Sequence, residues 1–388
     1  MFSRYRKELC LFLVLLFVSF WTIIFSRNPD ANNIFQSLLE SRFLSLRNME
    51  NLARQIGMYG IFSLGMGLVI ISAGIDLSVG SLMALLGTIF FYLLTGGHPW
   101  VPGVHWSLAI VILLGVAALI GLLHGWLIAK IGMPAFVVTL CGLLGYRGLA
   151  QTMTRDTSIG YYDSVHDVTG LESFLTGELF GMPAAFIAFI LICAITYYAL
   201  HLSVFGRYLL ALGRNEQAAR YSGINTGMIT IFAYIACTVL ACISALFFVL
   251  YTAAVVPSMH GNFFELYAIA GAVLGGCSLR GGEGTVVGII LGTTVLLVLQ
   301  NMVNLLGYDS SFSKVITALV ILGGVLVDRF DIWKLISFTK TKTARVQNSE
   351  VSSFHSSYSF SFSFSQRYLS ARPAFRVFCA HVRHSLRS

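Results

Sequence analysis

Charge is scarce in this chain. Asp, Glu, Lys and Arg make up 11% of its 388 residues, against about 25% in soluble domains. With a mean hydropathy of +0.79, that scarcity excludes a water-soluble globule. Catalytic signatures are absent as well: no Gly-x-x-x-x-Gly-Lys-Ser/Thr phosphate loop, no Gly-x-Ser-x-Gly elbow and no His-Glu-x-x-His pair. The chain therefore carries neither P-loop ATP hydrolysis nor a familiar hydrolytic set of its own. There is no Cys-x-x-Cys and no Cys/His spacing suited to zinc, so no metal site is expected. Cys10, Cys141, Cys193, Cys237, Cys242 and Cys277 sit in or beside apolar runs, where cysteine acts as a small packing residue.

Hydrophobic residues supply 56% of the chain. They gather into ten runs of spanning length or close to it: Leu9–Phe25, Ile56–Ala73, Val79–Thr95, Leu108–Ile128, Pro134–Met153, Pro183–Leu200, Met228–Leu250, Phe264–Cys277, Val286–Leu305 and Val315–Val327. The expected fold is an all-α polytopic membrane protein of about ten transmembrane helices, some broken or re-entrant. The first run follows Arg4, Arg6 and Lys7 and lacks a small-residue cleavage site, so it reads as a retained span. The basic loop around Arg207, Arg214 and Arg220 and the acidic loop holding Asp156, Asp163, Asp167, Glu172 and Glu178 orient the chain by the positive-inside rule. Both termini and the basic loop are expected in the cytoplasm, with the acidic loop outside. Residues 27–50, of mixed charge, read as an external surface segment.

The expected organisation is a cytoplasmic N-terminus (1–8), a membrane domain (9–330) and a tail (331–388). Beyond Leu335 the tail holds eight basic residues against Glu350, nearly the whole net charge of +8. Its Ser/Phe alternation has low complexity and no helical period. Nucleic-acid binding does not follow, because the charge is sparse and the aromatics alternate with serine alone.

Glycine is abundant, 37 residues. Gly121/Gly125, Gly271/Gly275 and Gly288/Gly292 carry the four-residue spacing of close helix contacts and read as packing pairs. Gly275-Gly-Cys-Ser-Leu-Arg-Gly-Gly-Glu-Gly284 differs, since irregular backbone at membrane depth is tolerated only inside protein or along a cavity. Gly275, Gly276, Ser278, Gly281 and Gly282 are accordingly candidates for the wall of a translocation path. A second break, Gly74-Ile-Asp-Leu-Ser-Val-Gly-Ser81, holds Asp76 and Ser78 between two spans and makes them further candidates for that path. Asp76 reads first as a cap for the amides of Ser78 and Val79, and otherwise as a contact for cargo. The two breaks share an acid, a hydroxyl and a glycine before the next helix, a short hint of repetition. His124 and Arg147 lie in apolar spans and read as groups satisfied at interfaces or helix ends.

The longest polar interruption, residues 205–225, has its own logic. Asn215 is a candidate N-cap, Glu216 suits a helix's first turn, and Gly223 supplies a left-handed stop. The helix between them, about two turns, needs a surface to dock on. Ala218 and Ala219 admit close approach, with Arg207, Arg214 and Arg220 around them. Pattern alone leaves open an ordinary basic cytoplasmic loop.

Four motifs in order, Gly74–Ser81, Gly132-Met-Pro-Ala-Phe-Val-Val-Thr-Leu140, residues 205–225 and Leu274–Gly288, resemble the permease subunits of bacterial ABC importers for ribose and related monosaccharides. The resemblance runs from about Asn51 to Asp328. It implies an inner-membrane homodimer that takes sugar from a periplasmic binding protein and is driven by a cytoplasmic ATPase. ATP and Mg would belong to that ATPase, with no cofactor on this chain. The resemblance also makes Arg214, Asn215, Glu216, Gln217, Ala218, Ala219, Arg220, Ser222 and Gly223 the helix that couples permease to ATPase. Two departures stand out: the tail has no counterpart, and Arg214 stands where a small residue is usual. Selectivity in such importers rests largely with the binding protein, so ribose is the first choice and xylose, arabinose or galactose remain open. The rival function is a secondary sugar transporter driven by an ion gradient.

Overall fold

The structure, a computed structural model, describes residues 6–27, 34–96, 103–162 and 164–330. The expected tail, 331–388, lies outside the described residues, as do residues 1–5. The described chain is almost wholly helical: α1 (Arg6–Phe25), α2 (Ile34–Leu39), α3 (Leu46–Ile71), α4 (Val79–Thr95), α5 (Trp106–Trp126), α6 (Ala135–Thr154), α7 (Thr169–Thr176), α8 (Ala184–Tyr197), α9 (Val204–Arg214), α10 (Glu216–Tyr221), α11 (Thr226–Thr252), α12 (Phe264–Leu274), α13 (Val286–Leu305) and α14 (Ser310–Phe330). The ten expected spans correspond to α1, α3, α4, α5, α6, α8, α11, α12, α13 and α14. Six of them, α1, α3, α5, α8, α11 and α13, are long and apolar enough to cross a bilayer by length and composition, counting the π-helical turns that extend α5 to Ile131 and α8 to Leu202. Shorter apolar helices α4 and α12 flank the two breaks.

α3 is the hub. Its inner half, including Leu64, Met66, Ile70 and Ile71, is fully buried and packs against α8, α11, α12 and α13. The glycine pairs work as packing positions, and two interlock with each other. A Cβ on Gly292 would lie 2.2 Å from the Gly271 carbonyl oxygen, and one on Gly288 would lie 2.0 Å from the carbonyl oxygen of Gly275. α12 and α13 therefore touch backbone to backbone, as dispersion-driven packing in lipid requires. Gly121 and Gly125 seat α5 on α11 in the same way, with a Cβ on either coming 2.6 Å from the Cα of Ile235 or Ile231. Replacing Gly292 with Val is expected to force α12 from α13 and destabilise the fold by about 1–3 kcal/mol, the range for overpacking. Thermal unfolding of the purified protein in detergent checks this, and an unchanged midpoint contradicts it.

Alternate connections fall at opposite ends of the bundle. At one end the Gly282 amide donates to the Ile71 carbonyl (2.8 Å), the Thr285 hydroxyl to Glu8 of α1 (2.6 Å), and the Val286 amide to His201 Nε2 (3.3 Å). At the other, β1 (Ile159–Gly160) pairs antiparallel with β4 (Ala254–Val255), and a second two-residue pair, β2 (Glu178–Leu179) with β3 (Met182–Pro183), closes the acidic loop. Arg147 reaches this end from α6, donating to the carbonyls of Pro257 and, at 2.5 Å, His260. Ser258 donates its amide to Asp156 (3.1 Å). The Val256 amide donates to His260 Nδ1 at 2.9 Å, and burial holds the His260 imidazole's pKa below its ordinary value. The start of α1, the loop after α8 and both glycine-rich breaks thus share one end, as an even number of crossings requires.

Candidate functional site

The interruption after α8 opens with Ser203, whose hydroxyl accepts the Gly206 amide (3.4 Å) and caps α9. Residues 204–214, part of the stretch read as a polar interruption, form an amphipathic helix with Leu209 and Leu212 buried. Sequence reasoning passed over it because Arg207, Tyr208 and Arg214 break up its apolar run. Asn215 then caps α10 through Oδ1, accepting the Ala218 amide at 2.9 Å. Glu216 and Arg220 pair at 2.9 Å one turn apart, an exposed contact worth about 0.3–0.5 kcal/mol. Ser222 closes α10, and Gly223 takes the left-handed conformation at φ 82°.

The two alanines do not share a face. Ala219 is turned inward and buried, while Ala218 is exposed beside Gln217, Arg220 and Ser222. Of the two alanines expected to admit close approach, only Ala218 is exposed, because residues adjacent in a helix point about 100° apart. Tyr221, overlooked in the sequence, is 90% exposed. A bare tyrosine next to a small residue has the makeup of an interface anchor.

Behind α10, three segments meet backbone to backbone. A Cβ on Gly213 would lie 2.0 Å from the Ile71 carbonyl oxygen and 2.3 Å from the Gly282 amide nitrogen. A Cβ on Gly282 would come 2.7 Å from the Arg214 nitrogen, and one on Gly281 would come 2.6 Å from the Cβ of Ala73. Gly281 and Gly282 have φ of 85° and 74°, open to glycine at no steric penalty. The last turn of α9, the end of α3 and the 275–285 bend form one junction, which brings Arg214, Gly281 and Gly282 together.

The remaining path candidates separate. Gly275 belongs to the α12–α13 contact, and Ser278 closes its own bend, its amide donating to the Glu283 carbonyl (3.1 Å). Asp76 and Ser78 are wholly buried. Asp76 Oδ1 accepts both the amide (2.9 Å) and the hydroxyl (2.6 Å) of Ser78, so the cap falls on Ser78 twice and not on two successive amides. Asp76 Oδ2 faces His124 Nδ1 of α5 at 3.7 Å. The other His124 nitrogen lies 2.7 Å from the Tyr146 hydroxyl of α6, with the two rings stacked. Tyr234 of α11 sets its ring edge-on to His124, and its hydroxyl would be 2.6 Å from a Cβ on Gly74. His124 is thus no isolated ionisable residue. No metal-holding group of three or more His, Cys, Asp or Glu occurs among the described residues.

A permease family described as "Branched-chain amino acid transport system / permease component" matches residues 48–325. The ribose import permease protein RbsC of Escherichia coli K12 is 36% identical over 294 residues, 75% of this chain and 88% of that protein. The protein of the same name in Bacillus subtilis 168 is 35% identical over 296 residues, 76% and 89% of the two chains. The xylose transport system permease protein XylH of Haemophilus influenzae Rd is 27% identical over 354 residues, 76% and 92%. No solved structure matches.

Proposed function

The chain belongs to this family of transport permeases, and from that premise we propose that it is the membrane subunit of an ATP-driven importer moving a monosaccharide, ribose first, into the cytoplasm. Support comes from likeness to ribose permeases along most of their length, and from the contact of α9 with both breaks. A separate ATPase hydrolyses ATP and docks on Arg214–Gly223, with Ala218 and Tyr221 at the centre. A periplasmic binding protein delivers sugar to the acidic-loop end. Two copies of the chain pair to enclose the path, and both termini face the cytoplasm.

The observation that carries the mechanism is the Gly213–Ile71–Gly282 junction. α10 and α9 are joined through Asn215 alone, so a push on α10 reaches α9 directly. With Gly213 setting α9 directly on the Ile71 and Gly282 backbones, that movement passes to the end of α3 and the entry of α13 without slack. Packed interfaces of this kind switch between discrete arrangements and do not deform continuously. Access then alternates as the partner binds and hydrolyses ATP, and this chain performs no chemistry.

Uptake of labelled ribose into proteoliposomes holding permease, ATPase and binding protein tests the proposal. Uptake is expected to stop when hydrolysis is blocked and to survive a proton ionophore. Uptake that survives the block and collapses with the ionophore establishes the secondary transporter instead.

A further inference from the structure

Capping α4 needs only Asp76 and Ser78. It does not need His124, Tyr146 or Tyr234, yet all three surround the same bend, and His124 and Tyr234 are almost fully buried. Burying polar groups is unfavourable unless they are paired. Here Asp76 Oδ2, His124 Nδ1 and the Tyr234 hydroxyl have no hydrogen-bond partner among the described residues, and 3.7 Å between the first two exceeds hydrogen-bond range. A purely structural core would fill these positions with apolar side chains at lower cost.

The four polar residues occupy four different elements. Asp76 sits in the bend after α3, His124 on α5, Tyr146 on α6 and Tyr234 on α11. The Thr139 hydroxyl of α6 lies 3.2 Å from the Ile75 carbonyl of the bend and 3.0 Å from the Ala135 carbonyl of its own helix, sharing its proton between them. α6 also approaches closely at Gly142, where a Cβ would lie 2.9 Å from that of Ser78 and 3.1 Å from His124 Nε2. The same bend begins at Ile71 and Ala73, the residues that meet α9 and the 275–285 loop.

We infer that Asp76, His124, Tyr146 and Tyr234 form a polar clasp that fastens the 72–78 bend to α5, α6 and α11, so that movement entering at Ile71 reaches those helices. His124 and Tyr146 are positioning residues that act through Asp76. The unmet atoms leave the clasp able to tighten, with Asp76 Oδ2 and His124 Nδ1 closing to hydrogen-bond distance as the bend shifts. This inference rests on the importer reading for its consequence, though not for its geometry.

The test is His124→Phe, which keeps a planar ring and removes both nitrogens, beside His124→Gln, which returns a donor and an acceptor. Two readouts are taken on full-length protein: sugar imported per ATP hydrolysed in the reconstituted system, and hydrogen exchange at the amides of Ser78 and Gly282. His124→Phe is expected to lower the import-to-hydrolysis ratio about tenfold, within the range for mutations along coupling networks, while hydrolysis continues. Exchange at both amides rises as the bend opens locally, and His124→Gln restores both readouts. Import and hydrolysis falling together at constant ratio, with a lowered melting temperature, marks an ordinary core residue and overturns the clasp. If the wild type shows no ATP-driven uptake, the importer reading fails and exchange alone decides. A selective rise at Ser78 in His124→Phe then supports the clasp, and unchanged protection overturns it.

Discussion

Gly213→Val is expected to abolish ATP-driven uptake. The first added carbon falls 2.0 Å from the Ile71 carbonyl oxygen and 2.3 Å from the Gly282 nitrogen, both backbone atoms that no rotamer change can move aside. α9 must retreat, and the Gly282–Ile71 hydrogen bond is wedged open. Overpacking of this kind destabilises by about 1–3 kcal/mol, which a chain of this size tolerates, so the protein is expected to reach the membrane and lose transport out of proportion to its stability. Uptake measured beside membrane abundance and melting temperature checks this. Normal uptake at normal abundance contradicts the junction.

Ala218→Trp is expected to abolish uptake by a different route. Ala218 is exposed, so a larger residue is expected to leave the folded chain intact and to block whatever fits against α10. Tyr221→Ala on the same face removes the exposed ring and is expected to weaken the partner by about 2 kcal/mol, the scale of an interface anchor, or about 30-fold. Ala219→Trp, one position away, is expected to damage the fold itself, because Ala219 packs inward. Binding curves for the three variants separate these outcomes, and equal effects of Ala218→Trp and Ala219→Trp on melting temperature contradict the assigned face.

The ten spans were legible in the sequence because each apolar run carries its own length and composition, and the ends of α10 were legible because Asn215 and Gly223 act locally. What depends on tertiary contact was not. Nothing local tells Ala218 from Ala219, since only the packing of α10 against its own chain decides which one is bare. Gly213 carries no local signal of its role, which rests on Ile71 and Gly282, far away in the chain, pressing on it. That His124 is satisfied at an interface is legible, but its neighbours are not, because Asp76, Tyr146 and Tyr234 come from three other elements. The glycine pairs were recognised as packing positions by their spacing, but that Gly271/Gly275 and Gly288/Gly292 pack on each other is a property of the α12–α13 crossing. The two-residue strands β1 and β4 are too short to leave a periodic signal at all.

We propose that a separate ATPase grips α10 and drives the breaks through α9. The most direct test is capture of the ATPase by the purified permease, wild type against Ala218→Trp, with both shown to be folded. The wild type is expected to retain the ATPase and the variant to lose it. Failure of the folded wild type to retain it in any of several detergents, or equal retention by the variant, contradicts the claim.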